Sequence, residues 1–182
     1  WQQHSLEQIR KFVGNGIGKL MERSVPRGRE NEQFEDAFSQ FREYYTEHCR
    51  IKTRPYEGVL EMMKTLSEHE FRMAIVSNKN DAAVKELNDI YFSGYIKAAI
   101  GDRPGARRKP APDAVFAALE ELGSEREHAV YIGDSEVDYE TASNSGLDCI
   151  LVSWGFRDRE LFESFQNVTV VDRCEEILDR LL

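Results

Sequence analysis

From Pro55 onward, short runs of β-branched and aliphatic residues alternate with amphipathic stretches. The apolar runs predict strands over residues 73–77, 96–100, 129–132, 149–152 and 168–171. Helices are predicted between and around them, near 59–67, 81–90, 113–122, 139–145 and 175–181. Near-continuous apolar strands in alternation with helices imply a parallel sheet covered on both faces, an α/β, doubly wound (Rossmann-like) core. Before Pro55 the pattern is helical throughout. Phe34, Phe38, Phe41 and Tyr45 recur at spacings of four, three and four, which places them on one face of a helix within 30–48, where core packing accounts for them. Pro55 and Gly58 in the run RPYEG break the helical pattern, so the expected division is a small helical cap domain over 1–54 and an α/β core over 55–182.

A length of 182 residues suits one compact domain with a satellite. The formal net charge of −9 argues against a nucleic-acid partner, because binding a polyanion draws on clustered Lys and Arg. A small substrate is the expectation. No apolar run is long enough to cross a bilayer. Cys49, Cys149 and Cys174 are odd in number and widely spaced, which suits a reducing, cytoplasmic setting, and the opening WQQHSLEQIRKF has no secretory-signal pattern. Aromatic residues of the N-terminal region offer a surface for a homodimer. His4, His48, His69 and His128 show no ligand spacing and receive no role.

In an open parallel sheet, ligands collect beyond the carboxyl ends of the strands. Three such ends carry candidate chemistry. The run MAIVS leads into Ser77, Asn78 and Lys79, where a hydroxyl and free N–H groups ahead of a helix suit a phosphate. Helix capping by Ser77 or Asn80 is the plainer alternative. The run VYIGDSEVD places Asp134 after a strand and Asp138 four residues on, an oxygen-rich pair suited to Mg2+, although acids there also meet a helix dipole. The run DRPGARRKPAPD gathers Arg103, Arg107, Arg108 and Lys109 in an otherwise acidic chain. In VGNGIGKL, the residues Gly14, Asn15 and Gly16 precede a short helix and only superficially match an anion-binding loop.

Ser77 after a strand, Lys109 in KPAPD and the GDSEVD run resemble the second, third and fourth motifs of the haloacid dehalogenase superfamily, in the same order. The helical N-terminal region, VGNGIGKL included, is similar to the inserted cap of phosphoglycolate phosphatase-like members. The resemblance implies Mg2+-dependent hydrolysis of a small phosphorylated substrate, phosphoglycolate first, with a phosphomutase or another phosphatase of the same cap type as alternatives. It assigns catalytic roles to Ser77, Lys109 and Asp134. Ser77, with the N–H of Asn78, would hold a phosphoryl oxygen, and Lys109 would steady the nucleophile and the phosphoryl charge. Asp134 would ligate Mg2+, with Asp138 supporting it directly or through water. Gly14, Asn15 and Gly16 would let the cap approach the substrate.

The family's first motif, a DxDGT-like run carrying the nucleophile, has no counterpart in residues 1–54. By analogy its strand lies between those ending at Ser77 and Gly133, so an upstream segment is the expectation. Without it, neighbours normally ~4.8 Å from a central strand would face an empty slot with unpaired backbone groups. A non-catalytic, phosphate-binding relative and a receiver-like signalling domain are the other readings.

Overall fold

The computed structural model describes residues 1–14 and 16–182. The chain forms two compact units, Trp1–Arg54 and Pro55–Leu182. The first contains helices α1 (Leu6–Phe12), α2 (Gly16–Ser24) and α3 (Phe34–His48). Ser5 and Gln8 cap α1 reciprocally, the Ser5 hydroxyl accepting from the Gln8 N–H and the Gln8 side chain accepting from the Ser5 N–H. Met21, Val25 and Phe34 form the core of this unit, with Ala37, Phe38 and Phe41 packed against them. The predicted aromatic stripe therefore faces inward at its N-terminal end. Its C-terminal member, Tyr45, is half-buried and stacks on Phe41, while Tyr44 and His48 stack on the exposed side of α3. The helix starts at Phe34 rather than near Glu30 because a 3-10 turn occupies Gly28–Glu30.

The second unit runs α4 (Val59–Glu68), β1 (Met73–Asn80), α5 (Asp81–Tyr91), β2 (Ile96–Asp102), α6 (Asp113–Leu122), β3 (Val130–Gly133), α7 (Glu136–Ser145), β4 (Asp148–Val152), α8 (Arg159–Phe162), β5 (Thr169–Val171) and α9 (Cys174–Leu181). All pairings are parallel. Strand β1 extends three residues beyond the predicted end at Ser77, because Asn80 re-pairs with Asp102 after a register shift. Ser77 and Asn78 therefore lie in the irregular last stretch of β1, and Asn80 caps α5 by accepting from the Ala82 N–H.

The sheet is in two pieces, β1–β2 and β3–β4–β5. Among the described residues, β1 and β3 each have a strand partner on one edge only. The consequence is visible in burial. Strand β2 is almost wholly buried, β1 is half-buried along its length, and Ile132 of β3 is 38% exposed. Side chains alternate between the two faces, as a pleated strand requires. Cys149 and Leu151 join a cluster with Tyr131, Val115, Leu119 and Phe162, whereas Ile150 and Val152 join Val171 and Ile177. Helix α6 ties the two sheets together: Ala114 and Ala118 pack with Ile100 of β2, and Val115 and Leu119 pack with Tyr131 and Leu151. Val76 of β1 touches both clusters. That shared packing brings the carboxyl ends of β1 and β3 into one neighbourhood without hydrogen bonds between the strands.

Candidate active site

The carboxyl ends of β1, β2 and β3 carry the candidate side chains, and the loop between β2 and α6 links them. Asn78 reads the main chain of that loop: its amide N–H donates to the Lys109 carbonyl at 2.9 Å, and the Lys109 N–H donates to Asn78 Oδ1 at 2.8 Å. Ser77, Asn78 and Lys109 line one small cleft with Gly101, Asp102 and Arg103. The Ser77 oxygen accepts from the Lys79 N–H at 3.1 Å, which leaves the hydroxyl proton to donate. Neighbouring cations of the loop are neutralised locally, Arg107 by Asp113 and Arg108 by Asp102.

Lys109 turns its ammonium toward the second sheet. It lies 2.8 Å from Asp138 Oδ1 and 3.1 Å from the Tyr131 phenol, and the phenol itself donates to the same carboxylate oxygen at 3.0 Å. The other oxygen of Asp138 accepts from the Ser135 hydroxyl at 2.6 Å and from the Asp134 N–H at 3.2 Å. Burial alone would push this carboxyl up, but the Lys109 ammonium and the hydrogen bonds from Lys109, Ser135 and Tyr131 bring it below the ordinary Asp value. Tyr131 is held protonated by burial and by the adjacent Asp138 charge.

Asp134 behaves in the opposite way. Burial, and then the negative charge of Asp138, raise its pKa, opposed by the N–H of Phe156 and the charge of Lys109. Its carboxylate rests against Gly155 in the loop after β4, where any side chain would overlap it. Gly133 similarly leaves room for Asp138. Arg157 holds the Gly155 loop by pairing one guanidinium edge, Nε and Nη2, with both carboxylate oxygens of Glu136 in the first turn of α7. Helix α7 begins at Glu136, earlier than the sequence pattern placed it, and this puts Asp138 in the first turn beside Asp134.

Both Asp138 oxygens are committed to donors, so Asp134 is the carboxylate with capacity for a hard cation. A divalent ion beside it would relieve the repulsion from Asp138 and the cost of burying a charge. Among the described residues no cluster of three His, Cys, Asp or Glu could cage a metal. That donor set still fits Mg2+, which binds through one or two carboxylates and fills its remaining positions with waters and phosphate oxygens.

Ser77, Asn78 and Lys109 are thus brought together, and Asp134 is joined to them through Asp138. Gly14 and Gly16 flank the start of α2 in the first unit, with φ of 118° and 83°, and Asn15 lies outside the described residues. Sequence reasoning missed Tyr131, Ser135, Gly155 and Arg157. Tyr131 was legible in principle, since a phenol inside an otherwise apolar strand needs a polar partner when buried. Arg157 carried no signal, because its partner lies 21 positions away.

The haloacid dehalogenase-like hydrolase family profile matches residues 1–152. Phosphoglycolate phosphatase from Aquifex aeolicus is 31% identical over 151 residues, covering 82% of this chain and 69% of the relative. Phosphoglycolate phosphatase 1 from Pseudomonas aeruginosa is 28% identical over 179 residues, covering 95% of this chain but 65% of the relative. Among solved structures, a candidate phosphoglycolate phosphatase from Lactobacillus delbrueckii subsp. bulgaricus superposes with a TM-score of 0.91 at 34% identity, covering 98% of this chain and 84% of the other. A haloacid dehalogenase-like family hydrolase from Streptococcus pneumoniae matches in fold, with a TM-score of 0.86 at 19% identity over 100% of this chain and 83% of that one.

Proposed function

Because the chain belongs to the haloacid dehalogenase-like hydrolase family, we propose that it is the greater part of a Mg2+-dependent phosphatase acting on a small phosphomonoester, with phosphoglycolate the first substrate to test. The observation that carries this reading is the linkage Asn78–Lys109–Asp138, which joins the ends of β1 and β3 across two separate sheets. An ammonium, a hydroxyl, main-chain donors and a buried carboxylate placed together suit a phosphoryl group and its counterion.

In this reading the Ser77 hydroxyl and the Asn78 N–H donate to a phosphoryl oxygen. Lys109 meets the negative charge that the phosphoryl group carries through the reaction, while Asp138 keeps the ammonium in place. Asp134 would hold Mg2+, with Asp138 behind it. The ion, when bound, supplies positive charge to the oxygens of the transferring group. Gly14, Asn15 and Gly16 remain candidate substrate contacts. The nucleophilic Asp would come from a segment preceding Trp1, whose strand would fill the free edges of β1 and β3 and form an aspartyl-phosphate. Those two unpaired edges support that placement, as does the fact that the chain spans 69% and 65% of the curated relatives' lengths.

The test is phosphate release by the full-length protein from phosphoglycolate, sugar phosphates, nucleotides and phosphorylated hydroxy acids, with and without Mg2+. We expect Mg2+-dependent turnover of at least one, lost in Asp134→Asn. Interconversion of a phosphorylated sugar without net release would mark a phosphomutase, and inertness toward the whole panel would sink the reading.

A further inference from the structure

We propose that Asn78 and Tyr131 are positioning residues for Lys109, one fixing its main chain and the other its ammonium, so that a single cation is delivered to the site pre-aimed from both sheets. The inference rests on the reading of Lys109 as the group that meets phosphoryl charge.

Lys109 sits on a loop, and a free lysine side chain samples many rotamers. Two restraints from separate strands remove that freedom. The Asn78 amide pairs with both the N–H and the C=O of Lys109, at 2.8 and 2.9 Å, as a strand partner would, although the two residues are 31 positions apart. This fixes where the side chain starts. At the far end, Tyr131 Oη at 3.1 Å and Asp138 Oδ1 at 2.8 Å accept two of the three ammonium protons. The phenol also donates to Asp138, so the three groups form a closed triangle in which each is hydrogen-bonded to the other two. With the ammonium only partly open to solvent, its third N–H is left for a ligand oxygen.

Asp138 alone could balance the charge. Tyr131 adds direction, because a carboxylate alone accepts an ammonium over a broad arc and a second acceptor narrows that arc. The phenol is carried by β3 and packed in the cluster of Val115, Leu119 and Leu151, so its position is set by the core. The Asn78 side chain and the Tyr131 phenol act through Lys109, whereas the Asn78 main-chain N–H is a separate donor.

The experiment is competitive acetylation of the full-length protein with acetic anhydride, following Lys109 against the exposed Lys64 by peptide mass spectrometry. In the wild type Lys109 should react far more slowly, its side chain being 13% exposed against 65% for Lys64. Asn78→Ala and Tyr131→Phe should each raise the Lys109 to Lys64 ratio about fivefold, the effect of losing one or two hydrogen bonds. Asn78→Asp, which keeps the acceptor and loses the donor, should fall between Asn78→Ala and wild type. An unchanged ratio, or a rise shared by every lysine, overturns the inference, since the second result marks a folding residue only. The underlying reading fails separately: phosphate release that survives Lys109→Met removes Lys109 from the chemistry while leaving the labelling ratios intact.

Discussion

Lys109 Nζ lies 2.8 Å from Asp138 Oδ1, and the two side chains are only 13% and 8% exposed. Breaking a buried pair by removing one partner strands the other charge, at a cost of about 3–5 kcal/mol. Asp138→Ala should therefore destabilise the second unit by roughly that amount in denaturant unfolding, and Lys109→Met by a comparable amount. A loss below about 1 kcal/mol for both would mean that the pair is solvated like a surface bridge.

The same pair sets a pH dependence. Asp138 titrates below its ordinary value in the folded chain, so the native state binds fewer protons there than the unfolded one. Its contribution is present above the unfolded carboxylate pKa and is lost as pH falls through the lower, folded value. Acid unfolding should shift to higher pH in Lys109→Met, which removes the largest cause of the depression.

Asp134 carries the opposite sign. Its folded pKa is raised by burial and by Asp138, so without a metal it destabilises the fold as pH rises from the unfolded value through the folded one. Above that window Asp134→Asn should stabilise the metal-free protein by on the order of 1 kcal/mol. Added Mg2+ should raise the melting temperature of the wild type and leave Asp134→Asn unmoved. Equal Mg2+ stabilisation of both proteins would place the cation elsewhere.

Gly155 lies so close to the Asp134 carboxylate that a methyl group there must displace it. Gly155→Ala should weaken Mg2+ affinity about 10–100-fold, the range for residues that orient a ligand. Gly94→Ala is the control, with nothing within 4 Å of the added carbon. Calorimetric titration of the two variants separates a local from a general effect.

Ile132 is 38% exposed on β3, which among the described residues is an edge strand of its sheet. In residues 1–182 alone, Ile132→Asn should cost less than about 1 kcal/mol, since little apolar burial is lost. If the proposed upstream strand covers that edge in the full-length protein, the same change there should cost roughly 2–4 kcal/mol. Matching urea midpoint shifts in the two proteins would show that no such strand packs there.

Much of this molecule was legible in the chain. Hydrophobic runs of period two and 3.6 are local properties, so all five strands appeared near their observed places, and the parallel α/β class followed from their alternation with helices. The residues Ser77, Lys109, Asp134 and Asp138 stand out because they fall in the runs MAIVSNK, RRKPAPD and GDSEVD near strand ends, and the family match to residues 1–152 agrees with the resemblance those runs carry. What the sequence could not say was who touches whom. That Asn78 grips Lys109 across 31 positions, that Tyr131 turns a core ring into a polar contact, and that Asp138 spends both oxygens on donors while Asp134 lies buried against Gly155, are consequences of packing. Local pattern records which face a side chain prefers. Only the tertiary structure, by seating α6 against both sheets, determines which distant strand ends share a hydrogen bond.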